Sequence, residues 1–251
     1  MSNHEANRNP TPATASDAGY GRWHRRVLEN RGGLFALLTT IGISIGGIVE
    51  ILPMYTAEWG PETADWVSPY TPLEVAGRDI YIREGCYLCH SQMVRPMRSE
   101  ILRYGEWTRA AEYMYDRPFL LGSRRLGPDL QRVGGKYPDA WHYEHMRDPR
   151  SVSPGSVMPP YPWLLERTID PEDIRASVVA LRRAGTPYTD EDVAGVPDAL
   201  RTQGEGIVQR LAQAGIETTW DREIVALIAY LQRLGVDGRR HLEQQNAGGT
   251  P

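Results

Sequence analysis

Residues 72–90 read PLEVAGRDIYIREGCYLCH, and the fold turns on this stretch. Pro72 suits the first turn of a helix and Gly85 its end, so the pattern predicts a helix from Pro72 to Gly85 running into Cys86, Cys89 and His90. Cys86 to His90 is a C-x-x-C-H run, in which two thiols add to the vinyl groups of a porphyrin and the histidine ligates its iron. The spacing puts both sulfurs on one side of the backbone, and His90 follows where its imidazole meets the iron from the face the cysteines hold. The chain has only these 2 cysteines, too close for an ordinary structural disulfide, so no disulfide framework is expected. Zinc would need further ligands nearby, and a thioredoxin-like site would need a preceding strand in a βαβ unit. Neither context surrounds the motif. The expectation is one covalently bound haem c on Cys86 and Cys89, with His90 on the iron.

Upstream, GGLFALLTTIGISIGGIV lies uncharged between Arg31 and Glu50. With Ile51 and Leu52 it is long enough, at about 1.5 Å per residue, to cross a hydrocarbon core of about 30 Å. Gly33 to Leu52 is therefore expected to be a single transmembrane helix. Arg22, His24, Arg25, Arg26 and Arg31 precede it, and Glu58, Glu62 and Asp65 follow. The positive-inside rule then puts the N-terminus in the cytoplasm and everything after Pro53 outside. Trp23, Tyr55 and Trp59 suit the two aromatic belts. A cleaved signal peptide fits less well, because the apolar run is too long, too many residues precede it and no clear A-x-A site follows. Gly42, Ser44, Gly46 and Gly47 supply small residues suited to a helix neighbour in lipid.

The chain has 251 residues, 41% hydrophobic and 24% charged, enough for one domain plus an anchor and a tail. A net charge of −4 with mixed signs leaves no basic stripe, so no nucleic-acid partner is expected. The organisation read from the sequence is a disordered cytoplasmic N-terminus over 1–21, an anchor with flanks over 22–55, a haem domain over 56–237 and a disordered tail over 238–251. Asp170-Pro171 opens a helix closed by Gly185, and a second helix spans Asp221 to Leu234 with one apolar face for the core. A further helix is expected around Pro197 to Ala214, without identifiable site chemistry.

The opposite iron face has Met93, Met97, Met114, Met146, Met158, His142 and His145 as candidates. Met93 and Met97 follow His90 too closely to reach that face. His142, His145 and Met146 fall in Tyr137 to Asp148, which reads as an ordinary surface helix. Met158 lies in SVSPGSVMPPYPWL, a Pro-rich loop that can present a thioether, although methionine is also a common core filler. Gly127-Pro128 begins a loop whose proline carbonyl is placed to accept the Nδ1 proton of His90, or is a plain turn. Arg95, Arg124, Arg125, Tyr137, Trp141 and Trp163 are candidates for the haem propionates, with salt bridges or packing as competing roles. Met93 to Arg125, rich in arginine and aromatics, reads as an excursion lying against a partner.

Gly77, Tyr81, Gly85, the Cys86 to His90 motif, Gly127-Pro128-Asp129-Leu130, Met158-Pro159 and the helix holding Tyr230 occur in an order that resembles class I cytochromes c. The resemblance implies a mainly α domain with insertions, a close crossing of first and last helices at Gly77, and Met158 as sixth ligand. The anchor, the run from Gly85 to Leu130, the following VGGKY and SVMPPYPWL further resemble the mono-haem subunit (subunit II) of cbb3-type cytochrome c oxidases, over roughly residues 20 to 185. That resemblance implies a non-catalytic electron-transfer subunit in a bacterial inner membrane, with its haem domain in the periplasm. It would take electrons from a di-haem cytochrome c subunit or a soluble cytochrome and pass them to haem b of a haem b/copper catalytic subunit. The alternatives are a stand-alone membrane-tethered cytochrome c and, from a different class, a haem enzyme or gas sensor with an open iron.

Overall fold

The computed structural model describes residues 30–56, 65–122 and 124–248, in two compact units divided between Pro61 and Glu62. The expected N-terminal disorder, Arg22, Trp23, His24, Arg25 and Arg26 before the anchor, Glu58, Trp59, Glu62 and the side chain of Tyr55 lie outside the described residues.

The first unit contains helix α1, Gly32–Thr56. Its apolar stretch Gly32–Pro53 has a mean hydropathy of 2.0, and 22 residues at about 1.5 Å each are long enough to cross a membrane. Phe35, Leu38, Ile41, Ile45 and Ile48 are exposed within the chain, as an apolar helix without a protein neighbour requires. The Thr40 hydroxyl is satisfied by donating to the Ala36 carbonyl at 2.9 Å. The helix continues past Pro53, where the sequence suggests a stop, and ends one turn later.

The second unit is helical, and among its described residues the only bridge is the isolated pair Thr168 and Arg222. Helix α2 is Pro72–Arg83, begun by a capping box in which Thr71 and Glu74 satisfy each other's backbone N–H, with Pro72 in the first turn. It stops earlier than expected because Gly85 turns left-handed at φ 71°, a conformation open to glycine at little cost. That turn starts the single 3-10 turn Cys86–Leu88. Next come α3, Arg98–Tyr104, then α4, Asp139–Arg147, and α5, Pro171–Arg183, capped by the Asp170 side chain on the Glu172 N–H at 2.9 Å. Helices α6, Val196–Gln213, α7, Glu223–Arg233, and α8, Val236–Gly248, complete the unit.

The core is the crossing of α2 and α7. A Cβ on Gly77 would overlap the Ala226 carbonyl and come within 2.7 Å of the Tyr230 Cβ, so the glycine is what lets the two backbones touch. One expectation is corrected here. Helix α7 does not bury one face: every residue from Glu223 to Leu231 is buried, because α2, α4 and α6 surround it. Helix α6 is a wall of that core, contributing Val196, Leu200, Ile207 and Leu211.

The tail placed by sequence at 238–251 as disordered is helical through Gly248. Asp237 accepts from the Ser68 N–H at 2.8 Å, His241 stacks on Trp66 at 4.4 Å, and Arg239 donates to the Gly134 carbonyl at 2.7 Å. These long-range contacts hold a helix whose composition alone would not. The excursion from Met93 to Arg125 folds back onto its own domain through the Arg78–Asp116 ion pair at 3.2 Å, Arg132 on Glu112, and the Tyr113 hydroxyl on the Gln92 carbonyl.

Candidate functional site

A cleft of about 580 Å³ opens beside the end of α2, within the range of small-molecule and cofactor sites. Cys86, Cys89, His90, Pro128 and Met158 all line it, with apolar walls from Leu130, Val133, Leu227 and Leu231. Cys86 is half-buried, Cys89 exposed, and neither is in a disulfide. Burial pushes the Cys86 thiol up to about 12. The backbone folds the motif tightly: the N–H groups of Cys89 and His90 both donate to the Cys86 carbonyl, at 3.1 and 3.0 Å.

His90 Nδ1 lies 2.9 Å from the Pro128 carbonyl oxygen. A carbonyl can only accept, so Nδ1 carries the proton and Nε2 presents its lone pair. Burial pulls the imidazole pKa down, partly offset by this hydrogen bond and by the nearby Asp129. Gly127 makes the approach possible, since a Cβ there would run into the His90 ring, 2.7 Å from Nδ1. The Gly127 N–H donates to the Cys89 carbonyl at 3.0 Å, closing the two segments on each other.

Met158 sits half-buried on the loop after α4, its N–H donating to the Ser156 hydroxyl at 3.2 Å. The Tyr161 N–H ties that loop to the Met146 carbonyl at 2.8 Å. Helix α4 is not the surface helix the sequence suggests: His142 is 2% exposed, and His142, His145 and Met146 line the cleft. Trp141 stacks on His145 at 4.6 Å and on Tyr137 at 4.0 Å. His142 Nε2 and His145 Nδ1 are buried without a hydrogen-bonding partner among the described residues. Burial pulls His142 down to about 4 and lowers His145 as well, the nearby His90 adding to the shift at His145. The i, i+3 spacing of the two histidines in WHYEH was the available signal; only the packing showed which way that face turns.

Of the residues considered for propionates, Tyr137 and Trp141 line the cleft. Arg125 is engaged with Ser91, Met93, Glu100 and Asp129, Arg95 with Glu100, and the Trp163 indole N–H with Glu84 at 3.0 Å. Arg124 is exposed.

The donor set fits a haem. Two thiols and an Nδ1-protonated imidazole line an apolar cleft, the buried nitrogens of His142 and His145 have no partner among the described residues, and Gly127 supplies room against the His90 ring. When bound, the haem supplies a one-electron Fe(III)/Fe(II) couple. Within the chain, His90 holds its proton on Pro128, the apolar walls exclude water, and the Cys86 to His90 turn sets where the three donors lie.

A helical domain with this cleft has the form of a haem-binding electron carrier. The chain belongs to the family described as "Cytochrome C oxidase, mono-heme subunit/FixO", which matches residues 25–237. This is the cbb3 oxidase subunit its motifs resemble, and membership brings one haem, a role in electron transport and a catalytic oxidase subunit as partner. No curated protein matches the chain.

Proposed function

We propose that this chain relays single electrons through a haem c attached by thioether bonds to Cys86 and Cys89, with His90 and Met158 as axial ligands and Pro128 orienting His90. The electrons come from a c-type donor, either a di-haem subunit or a soluble cytochrome, and pass to haem b of the catalytic subunit. The observation that carries the reading is the convergence of both thiols, the Pro128-bonded His90 and Met158 on one cleft. With both axial positions filled, no open position is left for a substrate, and methionine ligation raises the potential. The N-terminal arginines support a cytoplasmic N-terminus and a periplasmic haem domain in a bacterial inner membrane.

The test is a reduced-minus-oxidised spectrum and an oxygen-uptake measurement on the tagged chain extracted in mild detergent. Co-purifying b-type haem with oxygen consumption supports the oxidase relay. A c-type haem alone, surviving gentle extraction without oxygen uptake, would instead favour an independent shuttle. Absence of covalently bound haem would remove the reading altogether.

A further inference from the structure

The hydrogen bond from His90 to Pro128 is made where two chain segments meet, and one buried side chain holds that joint. The Asp129 side chain is 0% exposed. Its Oδ2 accepts from the Ser91 hydroxyl at 2.6 Å and from the Met93 N–H at 2.8 Å, while its Oδ1 accepts from the Gln131 N–H at 2.9 Å. Ser91 directly follows the ligand histidine and Asp129 directly follows its hydrogen-bond acceptor. The carboxylate therefore ties the segment carrying the donor to the segment carrying the acceptor. The Leu130 N–H on the Ser91 carbonyl at 2.8 Å is a parallel tie through backbone alone.

Arg125 closes the structure from outside. Its Nε donates to the Ser91 hydroxyl at 2.6 Å, and its Nη2 donates to the Met93 carbonyl at 2.6 Å and to Glu100 at 2.8 Å. Asp129 lies 3.4 Å from the same Nη2. A carboxylate this enclosed is tolerated only where its lone pairs are taken and a cation is near, and both conditions hold here.

We propose that Asp129 is a positioning residue for the electron-transfer site: through Ser91 and Met93, and braced by Arg125, it holds the Pro128 carbonyl on His90 Nδ1 and so tunes the iron's potential. The inference rests on the haem reading above. A firmly held acceptor strengthens the hydrogen bond from Nδ1–H to the Pro128 carbonyl and raises the basicity of the ligand nitrogen, which favours the ferric state. Loosening the joint weakens that bond, and removing a negative charge near the iron acts in the same direction, so the potential rises.

The experiment compares the full membrane-extracted chain with its Asp129→Asn, Ser91→Ala and Asp116→Asn variants, each checked for covalent haem. Midpoint potential, urea unfolding and the NMR signal of the His90 Nδ1–H are recorded. Asp129→Asn is expected to bias the couple about tenfold toward the ferrous state, about 59 mV for one electron, and to speed exchange of the His90 Nδ1–H. Ser91→Ala alters no charge and is expected to shift both in the same direction by less, and it carries the test if Asp129→Asn does not fold. Asp116→Asn breaks the buried pair with Arg78, away from the cleft, and is expected to lower stability without moving the potential. Wild-type potential and exchange in a haem-loaded Ser91→Ala or Asp129→Asn protein overturns the proposal, as does an equal shift in Asp116→Asn. A wild-type chain without covalent haem overturns the haem reading and, with it, this one.

Discussion

The two sides of the cleft are built differently. On the His90 side, Cys89, Ser91 and Met93 are tied to Gly127, Asp129 and Leu130 by backbone and carboxylate hydrogen bonds between 2.6 and 3.0 Å. On the Met158 side, the thioether stands on a Pro-rich loop anchored by one bond to Ser156 and one from Tyr161 to Met146, and the neighbouring His142 and His145 keep buried nitrogens without partners. One wall is complete within the chain; the other has hydrogen-bonding capacity left over. A rigid wall holds its ligand in a single geometry, whereas a loop-borne ligand beside two imidazoles can be replaced.

The contrast is broken most severely at Gly127. Gly127→Val places side-chain atoms where the His90 ring stands, and the ring is held by Pro128 and cannot swing away. Near-complete loss of covalent haem is expected, read by haem staining of the denatured chain. Met158→Leu removes the thioether from the loosely held wall without changing its volume much. Haem is expected to stay attached while the potential falls by at least about 59 mV, a tenfold bias. The ferrous variant is expected to bind carbon monoxide and the wild type is expected not to. If His145 takes the vacated position, the variant stays six-coordinate with a two-histidine spectrum, and adding His145→Phe opens the iron.

The smallest effect concerns the brace behind the rigid wall. Hydrogen bonds from Arg125 and then Arg95 hold the Glu100 carboxyl down to about 2 from its ordinary 4.5. A carboxyl with a depressed folded pKa contributes stability that is complete above about pH 4.5 and is lost as the pH falls toward about 2. Glu100→Gln is expected to be less stable than wild type at neutral pH and to lose less stability on acidification. Urea midpoints at about pH 6 and about pH 3 measure the difference between those slopes.

Legibility in the sequence followed the same division. The C-x-x-C-H run, Pro72 in the first turn of α2 and the apolar period of α7 are local, and each was readable because a few adjacent residues set the chemistry. Helix α4 was misjudged as a surface element because the histidines of WHYEH carry no local mark of burial; their depth comes from the packing of α4 against α6 and α7. The tail from 238 was misjudged for a related reason: its helix depends on Trp66, Ser68 and Gly134, all more than a hundred residues earlier in the chain.

By itself, then, the sequence determined the C-x-x-C-H turn, the apolar stretch long enough to cross a membrane and the mainly helical class, because covalent spacing, hydropathy and periodicity act over one to a few helical turns. The tertiary structure alone decided that Asp129 and Arg125 join the segment after His90 to the segment after Pro128, and that His142 and His145 face the cleft. Those outcomes depend on which distant segments meet, and local spacing and periodicity do not encode that.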